Sequence, residues 1–196
     1  MPDGTIGTGI GAAVKRVEDF RFLTGKGNYT DDINRPGQSY AYILRSPHAH
    51  AKITSIDCSA AKEAAGVLAV FTGEDMQVGS LPCGWQIHSK DGSPMLEPEH
   101  PPLAKGKVRH VGDQVAVVIA GTYSQAKDAA ETIIVDYEVL PAAVSMADAL
   151  TDKTLVHEEV GSNLCFDWEI GDEAAVDEAM SKAAHVTKID LVNNRL

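Results

Sequence analysis

The sequence predicts a soluble α/β domain, and three observations support this fold class. Hydrophobic residues make up 44% of the 196 residues and charged residues 23%, which is an ordinary composition for a globular domain with a core. Strand-like apolar runs alternate with short alanine-rich stretches of helical spacing. No apolar run approaches the roughly 20 residues that a membrane-spanning helix needs.

The charge and the cysteines exclude several classes of protein. The formal net charge is −11 with lysine and arginine scattered singly, whereas nucleic-acid binding needs a basic stripe. Cys58, Cys83 and Cys165 are widely spaced and form no Cys-x-x-Cys pattern, so neither an iron–sulfur nor a structural zinc site is predicted. No disulfide framework is expected, which favours a reducing, cytoplasmic compartment. The N-terminus lacks the features of a secretory signal.

The first third of the sequence predicts an irregular start followed by two strands. Residues 1–14 are rich in glycine and small side chains and are interpreted as a flexible arm, and residues 16–32 are interpreted as an ordered loop. Strands are predicted at Ser39–Arg45 and Ala51–Asp57. The first is apolar on both faces, as a central strand would be.

A helix and a strand complete this first strand–helix–strand unit. Ser59 is a candidate N-cap for a short helix that continues through Ala65, and Gly66 ends the helix. The alanines predicted to face inward are Ala61, Ala64 and Ala65. Val67–Thr72 is then predicted as a buried strand.

The same pattern recurs between residues 115 and 141. Val115–Ala120 is a continuous apolar run typical of a buried strand, and Ser124 is a candidate N-cap for the helix that follows. The predicted buried face of that helix comprises Ala126, Ala129, Ala130 and Ile133. Ile134–Glu138 is predicted as the next strand, and Pro141 breaks the pattern.

A third unit is predicted near the C-terminus. Asn163–Glu169 has the pattern of a strand, and Asp172 is a candidate N-cap for a helix. The predicted buried stripe of this helix comprises Val176, Ala179, Met180 and Ala183. Thr187–Asn193 alternates as a further strand. The sequence stops inside or just after this strand, so we expect the chain to be cut off before further segments.

A long irregular stretch interrupts the domain at residues 79–105. It holds five of the nine prolines and has no period, which is typical of a functional, partner-facing or disordered loop. Trp85 and His88 lie within it. Either they line a channel or a subunit contact, or Trp85 pins the loop to its own domain.

The histidine and acidic motifs have structural as well as functional interpretations. His48-Ala49-His50 is a candidate metal site, but without a third ligand at a recognisable spacing a hydrogen-bonded structural role is favoured. Glu18-Asp19 and Asp31-Asp32 are candidates for acid/base or cation chemistry. For both pairs the favoured interpretation is solvation, or hydrogen bonds accepted from arginine and backbone N–H groups; the possible arginine partners are Arg16, Arg21 and Arg45.

Two glycine-rich motifs and the terminal residues predict no binding chemistry. Gly7-Thr8-Gly9-Ile10-Gly11 is not preceded by the strand that a dinucleotide-binding turn needs. Thr24-Gly25-Lys26-Gly27 lacks the first glycine and the Lys-Ser/Thr ending of a phosphate-binding loop. The spacing of Asn193-Asn194-Arg195 points to no chemistry.

Whole segments of the sequence, in contrast, resemble the large subunits of the xanthine dehydrogenase/aldehyde oxidase family. They follow the expected order along nearly the entire chain and are Lys15–Gly27, Tyr29–Ile33, Leu44–Ala51, Gly66–Asp75, Val111–Ala116, Ala126–Glu131 and Val135–Pro141. Within this family, Cys83–Gly92 resembles the large, molybdenum-carrying chains of carbon monoxide dehydrogenase-like enzymes.

The resemblance implies a fold and a division of the chain. The fold is an α/β (α+β) hammerhead, with mixed sheets, short helices and strand–helix–strand units, over residues 15–150. Residues 79–105 are its long proline-rich loop. Residues 151–196 would begin the following segment and would be cut off before the molybdopterin-binding domain.

The resemblance also implies cofactors and partners for a complete enzyme. The full large subunit would bind molybdenum on molybdopterin cytosine dinucleotide. A small subunit would carry 2Fe-2S clusters and a medium subunit FAD, usually in a dimer of heterotrimers. Such an enzyme would convert carbon monoxide and water to carbon dioxide and pass electrons through the 2Fe-2S clusters to FAD.

In this family the catalytic and cofactor-binding segments lie beyond the domain that the sequence resembles. No residue of this chain is therefore predicted to be catalytic, cofactor-binding or metal-binding, and the chain alone is predicted to be inactive. Its expected role is structural, with contacts to other subunits. The alternatives are an aldehyde or N-heterocycle oxidoreductase of the same family, or a free-standing, non-catalytic hammerhead binding module.

Overall fold

A computed structural model describes residues 9–191 and contains two three-stranded antiparallel sheets with short helices. Its strands are β1 (Tyr40–Arg45), β2 (Ala51–Asp57), β3 (Val67–Thr72), β4 (Lys107–Val108), β5 (Gln114–Ala120) and β6 (Ile134–Val139). Its α-helices are α1 (Asp19–Leu23), α2 (Ser59–Glu63), α3 (Tyr123–Ala130), α4 (Met146–Ala149) and α5 (Glu173–Lys182). Residues 1–8 of the predicted arm, the last two positions of the strand predicted at Thr187–Asn193, and Asn193-Asn194-Arg195 lie outside the described residues.

The first sheet has the strand order β1-β5-β3, with α2 and α3 packed on one face. The helix-facing core comprises Cys58, Ala61, Val70, Ala116, Val118, Ala120, Ala126, Ala129, Ala130 and Ile133. The central strand is β5, as its continuous apolar run predicts. The prediction that Ser39–Arg45 is a central strand is wrong, because among residues 9–191 β1 pairs with β5 alone and forms an edge of the sheet.

The second sheet has the order β4-β2-β6 and a smaller core. That core comprises Ala51, Ala104, Val108 and Val115. Val115 belongs to β5 of the first sheet, so the start of this strand packs against the second sheet. Both sheets are antiparallel throughout, whereas the resemblance implied mixed sheets. The predicted α/β class itself is confirmed.

The two helices that cover the first sheet begin at different residues from those predicted. Thr122, not Ser124, caps α3, because its side-chain oxygen accepts the backbone N–H of Gln125. The predicted alanine face of α3 is buried, as expected. Helix α2 follows Cys58 at its N-cap position and ends at Glu63, so Ala65 lies outside the helix and is exposed rather than inward.

The turn between α2 and β3 requires a glycine. Gly66 has a φ of +84°, in the left-handed region that side chains disfavour. A Cβ at this position would also lie 2.3 Å from the Gln125 side chain at the start of α3. The turn between α2 and β3 can therefore approach the start of α3 this closely because glycine has no side chain.

The N-terminal and C-terminal segments differ most from their predictions. Residues 16–32 contain the helix α1 rather than loop alone. Asn163–Glu169 and the described part of Thr187–Asn193 form no strand, because a strand requires a hydrogen-bonded neighbour and neither segment has a full ladder within residues 9–191. Helix α5 begins after Asp172 as predicted, but its predicted buried stripe is exposed.

The helices among residues 9–191 are all short of the length and hydropathy that crossing a bilayer requires. Even α5 has only 10 residues.

Candidate functional site

The proline-rich loop has a defined shape although it lacks regular secondary structure. Its two limbs run antiparallel and exchange backbone hydrogen bonds: Leu81 N–H donates to His100 O over 2.8 Å, Met95 N–H to Ile87 O over 2.9 Å, and Ser89 N–H to Ser93 O over 2.8 Å. An isolated β-bridge joins His88 to Pro94. We call residues 81–100 the finger.

Glu97 ties the two limbs of the finger together. Its carboxylate accepts the backbone N–H of Cys83 over 2.8 Å and the side-chain amide of Gln86 over 3.0 Å. These two hydrogen bonds hold the pKa of Glu97 below its usual value, since both favour the charged form. The carboxylate therefore holds the two limbs of the finger together.

A second brace comes from Asn163–Glu169, the segment near the C-terminus that was predicted to be a strand. Leu96 N–H donates to Cys165 O and Lys90 N–H to Asp167 O, each over 2.8 Å. The Lys90 ammonium lies 3.0 Å from the Asp167 carboxylate, and this contact raises the pKa of Lys90. The segment thus follows the finger as an extended chain with a partial ladder.

Trp85 does not pin the finger to its own domain. Its side chain is 81% exposed, whereas a tryptophan that anchored the loop would be largely buried. The contacts that hold the finger are those of Glu97, Lys90 and Asp167. The interpretation of Trp85 as a pin is wrong for the part of the chain that the structure describes, and the alternative, a contact with a partner or a channel, remains a prediction.

A cavity of about 510 Å³ lies between the finger, β4 and residues 156–165. Its wall includes Cys83, His100, Arg109, Asp113, His157 and Cys165. Its cations are already paired: Lys107 lies 2.6 Å from the Glu158 carboxylate, and Arg109 lies 3.6 Å from that of Glu159. Lys107 also lowers the pKa of Glu158. Lys107 and Arg109 therefore each face a carboxylate beside this wall.

The two histidines of the His48-Ala49-His50 motif make separate structural contacts. His50 is only 5% exposed, and its Nδ1 donates to Pro141 O over 2.7 Å, because a carbonyl oxygen can only accept. Its Nε2 has no partner among the described residues. The His48 ring packs edge-on against Tyr137, with 4.9 Å between centroids. Within residues 9–191 no three His, Cys, Asp or Glu side chains are grouped as a metal would require.

The acidic pairs also have local partners. Arg16 Nε lies 2.7 Å from the Asp19 carboxylate, and Arg21 pairs with Glu18. Asp32 accepts the backbone N–H of Tyr29 over 2.8 Å and so closes a short 3₁₀ turn. These contacts match the favoured, structural interpretation of both pairs.

Arg45, the third possible partner, instead donates to the backbone oxygen of Gly112 over 2.8 Å. That bond ties the end of β1 to the turn before β5. It leaves Arg45 with a structural role rather than an ion pair.

The residues that organise the site were not predicted from the sequence. Asn163 accepts the N–H of Val156 over 2.9 Å and donates to the backbone oxygens of Ala149 and Thr154. It therefore holds together the turn that closes the cavity. Glu97 bonds to a residue distant in sequence, and Asn163 bonds within an irregular turn. No local sequence pattern distinguishes either of them from a surface residue.

A family model for the a/b hammerhead domain of aldehyde oxidase and xanthine dehydrogenase matches residues 24–141. This range begins just after α1 and ends just after β6, so it contains both sheets and the finger.

Curated relatives extend the match over most of the chain. The large chain of carbon monoxide dehydrogenase from Afipia carboxidovorans is 39% identical, over 92% of this chain and 23% of the relative. The large subunit of nicotine 6-hydroxylase from Paenarthrobacter nicotinovorans is 37% identical, over 90% of this chain and 21% of the relative. The chain thus spans less than a quarter of the length of these relatives.

Solved structures agree with this relationship. Reconstituted CO dehydrogenase from Oligotropha carboxidovorans superposes with a TM-score of 0.64 at 35% identity, over 88% of this chain and 22% of that one. Quinoline 2-oxidoreductase from Pseudomonas putida 86 superposes with a TM-score of 0.62 at 36% identity, over 74% and 18%.

Proposed function

From the premise that this chain belongs to the aldehyde oxidase and xanthine dehydrogenase hammerhead-domain family, we propose that it serves as the N-terminal structural and subunit-contact domain of a molybdenum hydroxylase large subunit. The complete enzyme would be similar to aerobic carbon monoxide dehydrogenase. The observation that carries this proposal is the 39% identity to a carbon monoxide dehydrogenase large chain over 92% of the chain, well beyond the hammerhead domain itself.

The described residues are suited to scaffolding rather than chemistry. Beside the cavity Glu97 accepts a backbone N–H and Glu158 pairs with Lys107, and no group of metal ligands is present within residues 9–191. We derive no catalytic step for these residues. In the proposed enzyme the molybdopterin cytosine dinucleotide is held by other segments of the large subunit.

The shape of the finger supports a role in subunit contact. The Glu97 and Asp167 braces fix its conformation before any partner binds, which lowers the entropy lost on association. Trp85 stands exposed on this fixed support, and a large aromatic side chain contributes much contact area for little rotamer entropy. The partners in this proposal are an iron–sulfur subunit with 2Fe-2S clusters and an FAD subunit, in a dimer of heterotrimers.

The proposal includes the division of the chain and its location. Residues 15–150 form the hammerhead domain, residues 1–14 an arm, and residues 151–196 the start of the next segment. The family match at residues 24–141 supports the first of these ranges. The three cysteines form no disulfide within the described residues, which is compatible with a cytoplasmic enzyme.

A second candidate substrate class has support from the relatives. The nicotine 6-hydroxylase large subunit is 37% identical, almost as similar as the carbon monoxide dehydrogenase chain. An enzyme that hydroxylates an N-heterocycle would use the same hammerhead scaffold, so this domain does not separate the two substrates.

The experiment is to purify the native enzyme through this chain and to analyse what accompanies it. We expect stoichiometric molybdenum, iron and FAD in the complex, with dye reduction that depends on carbon monoxide. The separately expressed 196-residue chain is the control, and it is expected to bind no molybdenum and to oxidise nothing. Dye reduction with nicotine or quinoline instead of carbon monoxide would select the heterocycle alternative. A chain that purifies without molybdenum and without partner subunits would favour a free-standing binding module.

A further inference from the structure

The first sheet has one face covered by helices and a second face that the described elements leave largely uncovered, since only its Val115 end packs against the second sheet. On β5, Val118 and Ala120 face the helices and are fully buried, whereas Val117 and Ile119 lie on the opposite side and are only half-buried. Adjacent residues of a strand point to opposite faces, so this difference identifies the second side as the one in contact with water.

The register of the sheet extends this second side over all three strands. Ile43 of β1 and Phe71 of β3 pair with Val117, and Ala41 and Ala69 pair with Ile119 in the same way. The open face, as we call it, therefore comprises Ala41, Ile43, Ala69, Phe71, Val117 and Ile119. All of its members are apolar.

The second sheet provides an internal comparison. Its exposed positions carry a Lys52–Glu138 ion pair at 3.1 Å and a hydrogen bond of 2.6 Å from Ser55 to Asp136. Such polar cross-strand pairs are what an antiparallel sheet places on a face that meets water. The open face has none of them, so its composition is that of a sheet covered on both sides.

The size of the open face restricts what can cover it. Three strands about 4.8 Å apart and four residues at about 3.4 Å each give a patch of about 200 Å². A stable interface between separate proteins buries about 800 Å² on each partner. This face alone is too small to hold a second copy of the chain, whereas a segment of the same polypeptide is held close by its covalent connection and needs less area.

We propose that the open face is the docking surface for an apolar face of another segment of the same large-subunit polypeptide, outside residues 1–196. This inference rests on the proposed function. It is supported by the length of the carbon monoxide dehydrogenase large chain, of which the present chain covers 23%.

The test is photo-crosslinking in the complete enzyme. The photoreactive residue p-benzoylphenylalanine replaces Phe71, which is an aromatic residue of the open face on the edge strand β3. A matched control carries the same residue at Thr54, on the polar face of the second sheet. We expect crosslinks from position 71 to residues of the same polypeptide beyond position 196, and at least tenfold fewer from position 54.

Other crosslinking results would overturn the inference. Crosslinks from position 71 to the iron–sulfur or FAD subunit, to a second copy, or to no protein at all would each contradict it. If the crosslinker prevents assembly, a Phe71→Cys variant replaces it, and we expect maleimide labelling at position 71 to be at least tenfold slower in the enzyme than in the isolated chain. Equal labelling rates would contradict the inference. Failure of the proposed function would be seen separately, as an enzyme preparation without molybdenum.

Discussion

Helices α3 and α5 have the same kind of N-cap and the same stripe pattern, but α3 is packed on a sheet and α5 is exposed. Each begins with a capping side chain, Thr122 accepting from Gln125 N–H and Asp172 accepting from Ala175 N–H. Each carries a stripe of small or apolar residues at helical spacing. In α3 that stripe is buried against the first sheet, with Ala129 2% exposed, whereas in α5 Val176 is 56% exposed.

The difference between these helices shows what an apolar stripe predicts about a helix and what it does not. An apolar stripe predicts that a helix has a face to bury, because its period matches the helical turn. It does not predict where the covering surface comes from. For α3 the cover is β1 and β5 of the same domain. For α5 no cover exists among residues 9–191, and a contact of its stripe in a larger assembly stays a prediction.

The largest expected effect on the free energy of unfolding comes from enlarging the buried stripe. Ala129→Leu should destabilise the isolated chain by about 1–3 kcal/mol, because α3 lies close to the sheet and the added methyl groups force strain. The matched substitution Ala179→Leu in α5 should change stability by less than about 0.5 kcal/mol, since its site is exposed. Urea unfolding followed by circular dichroism measures both. Equal effects would show that the two stripes have the same environment.

The capping residues should show the same contrast at a smaller magnitude. Thr122→Ala removes the acceptor for Gln125 N–H and should cost about 1 kcal/mol of global stability. Asp172→Ala should lower helix content at α5 without moving the urea midpoint, because α5 packs on no described element. Chemical shifts of the α5 backbone amides report the local change. A global loss with Asp172→Ala would mean that α5 belongs to the cooperative unit.

The parts of the fold that the sequence predicted correctly are those with local signals. The bounds of β2 and β3 and the buried face of α3 follow from period, capping and glycine positions. The edge position of β1 was missed because a strand that is apolar on both faces looks central, whether its second face is covered by this domain or by something else. The strand at Asn163–Glu169 was predicted from alternation alone, but alternation does not supply a hydrogen-bonding partner.

The candidate site was less predictable than the fold. The loop at residues 79–105 was recognisable from its prolines and missing period. Its braces were not, because Glu97 bonds across the finger and Lys90 bonds to Asp167, which is 77 positions along the chain. A surface carboxylate has the same local sequence signal whether it holds a loop or faces water.

A smaller effect concerns the pH dependence of stability. Asp75 accepts the backbone N–H of Thr72 over 2.7 Å and its hydroxyl over 2.9 Å, and both bonds lower the pKa of Asp75 below its ordinary value of 3.8. A group whose pKa is lower in the folded state stabilises it above the unfolded value and loses this contribution as the pH falls through the folded value. Asp75→Asn should therefore flatten the decline of the urea midpoint below about pH 4.

The control for this prediction lies in the finger. Asp91 also has a lowered pKa, because the hydroxyl and N–H of Ser93 donate to it, but it sits at an exposed turn away from both cores. Asp91→Asn should leave the acid decline of the global midpoint unchanged. If it flattened the decline as much as Asp75→Asn, the finger would be part of the cooperative core.

Hydrogen exchange in the isolated chain and in the assembled enzyme tests most directly whether the exposed apolar segments are contact surfaces. Amides of α3 should be protected in both samples. Amides of α5 and of residues 79–105 should exchange faster in the isolated chain and become protected in the enzyme, because partner contacts suppress local opening. Equally fast exchange of these segments in both samples would contradict the account, since it would show that neither the α5 stripe nor the finger is covered on assembly.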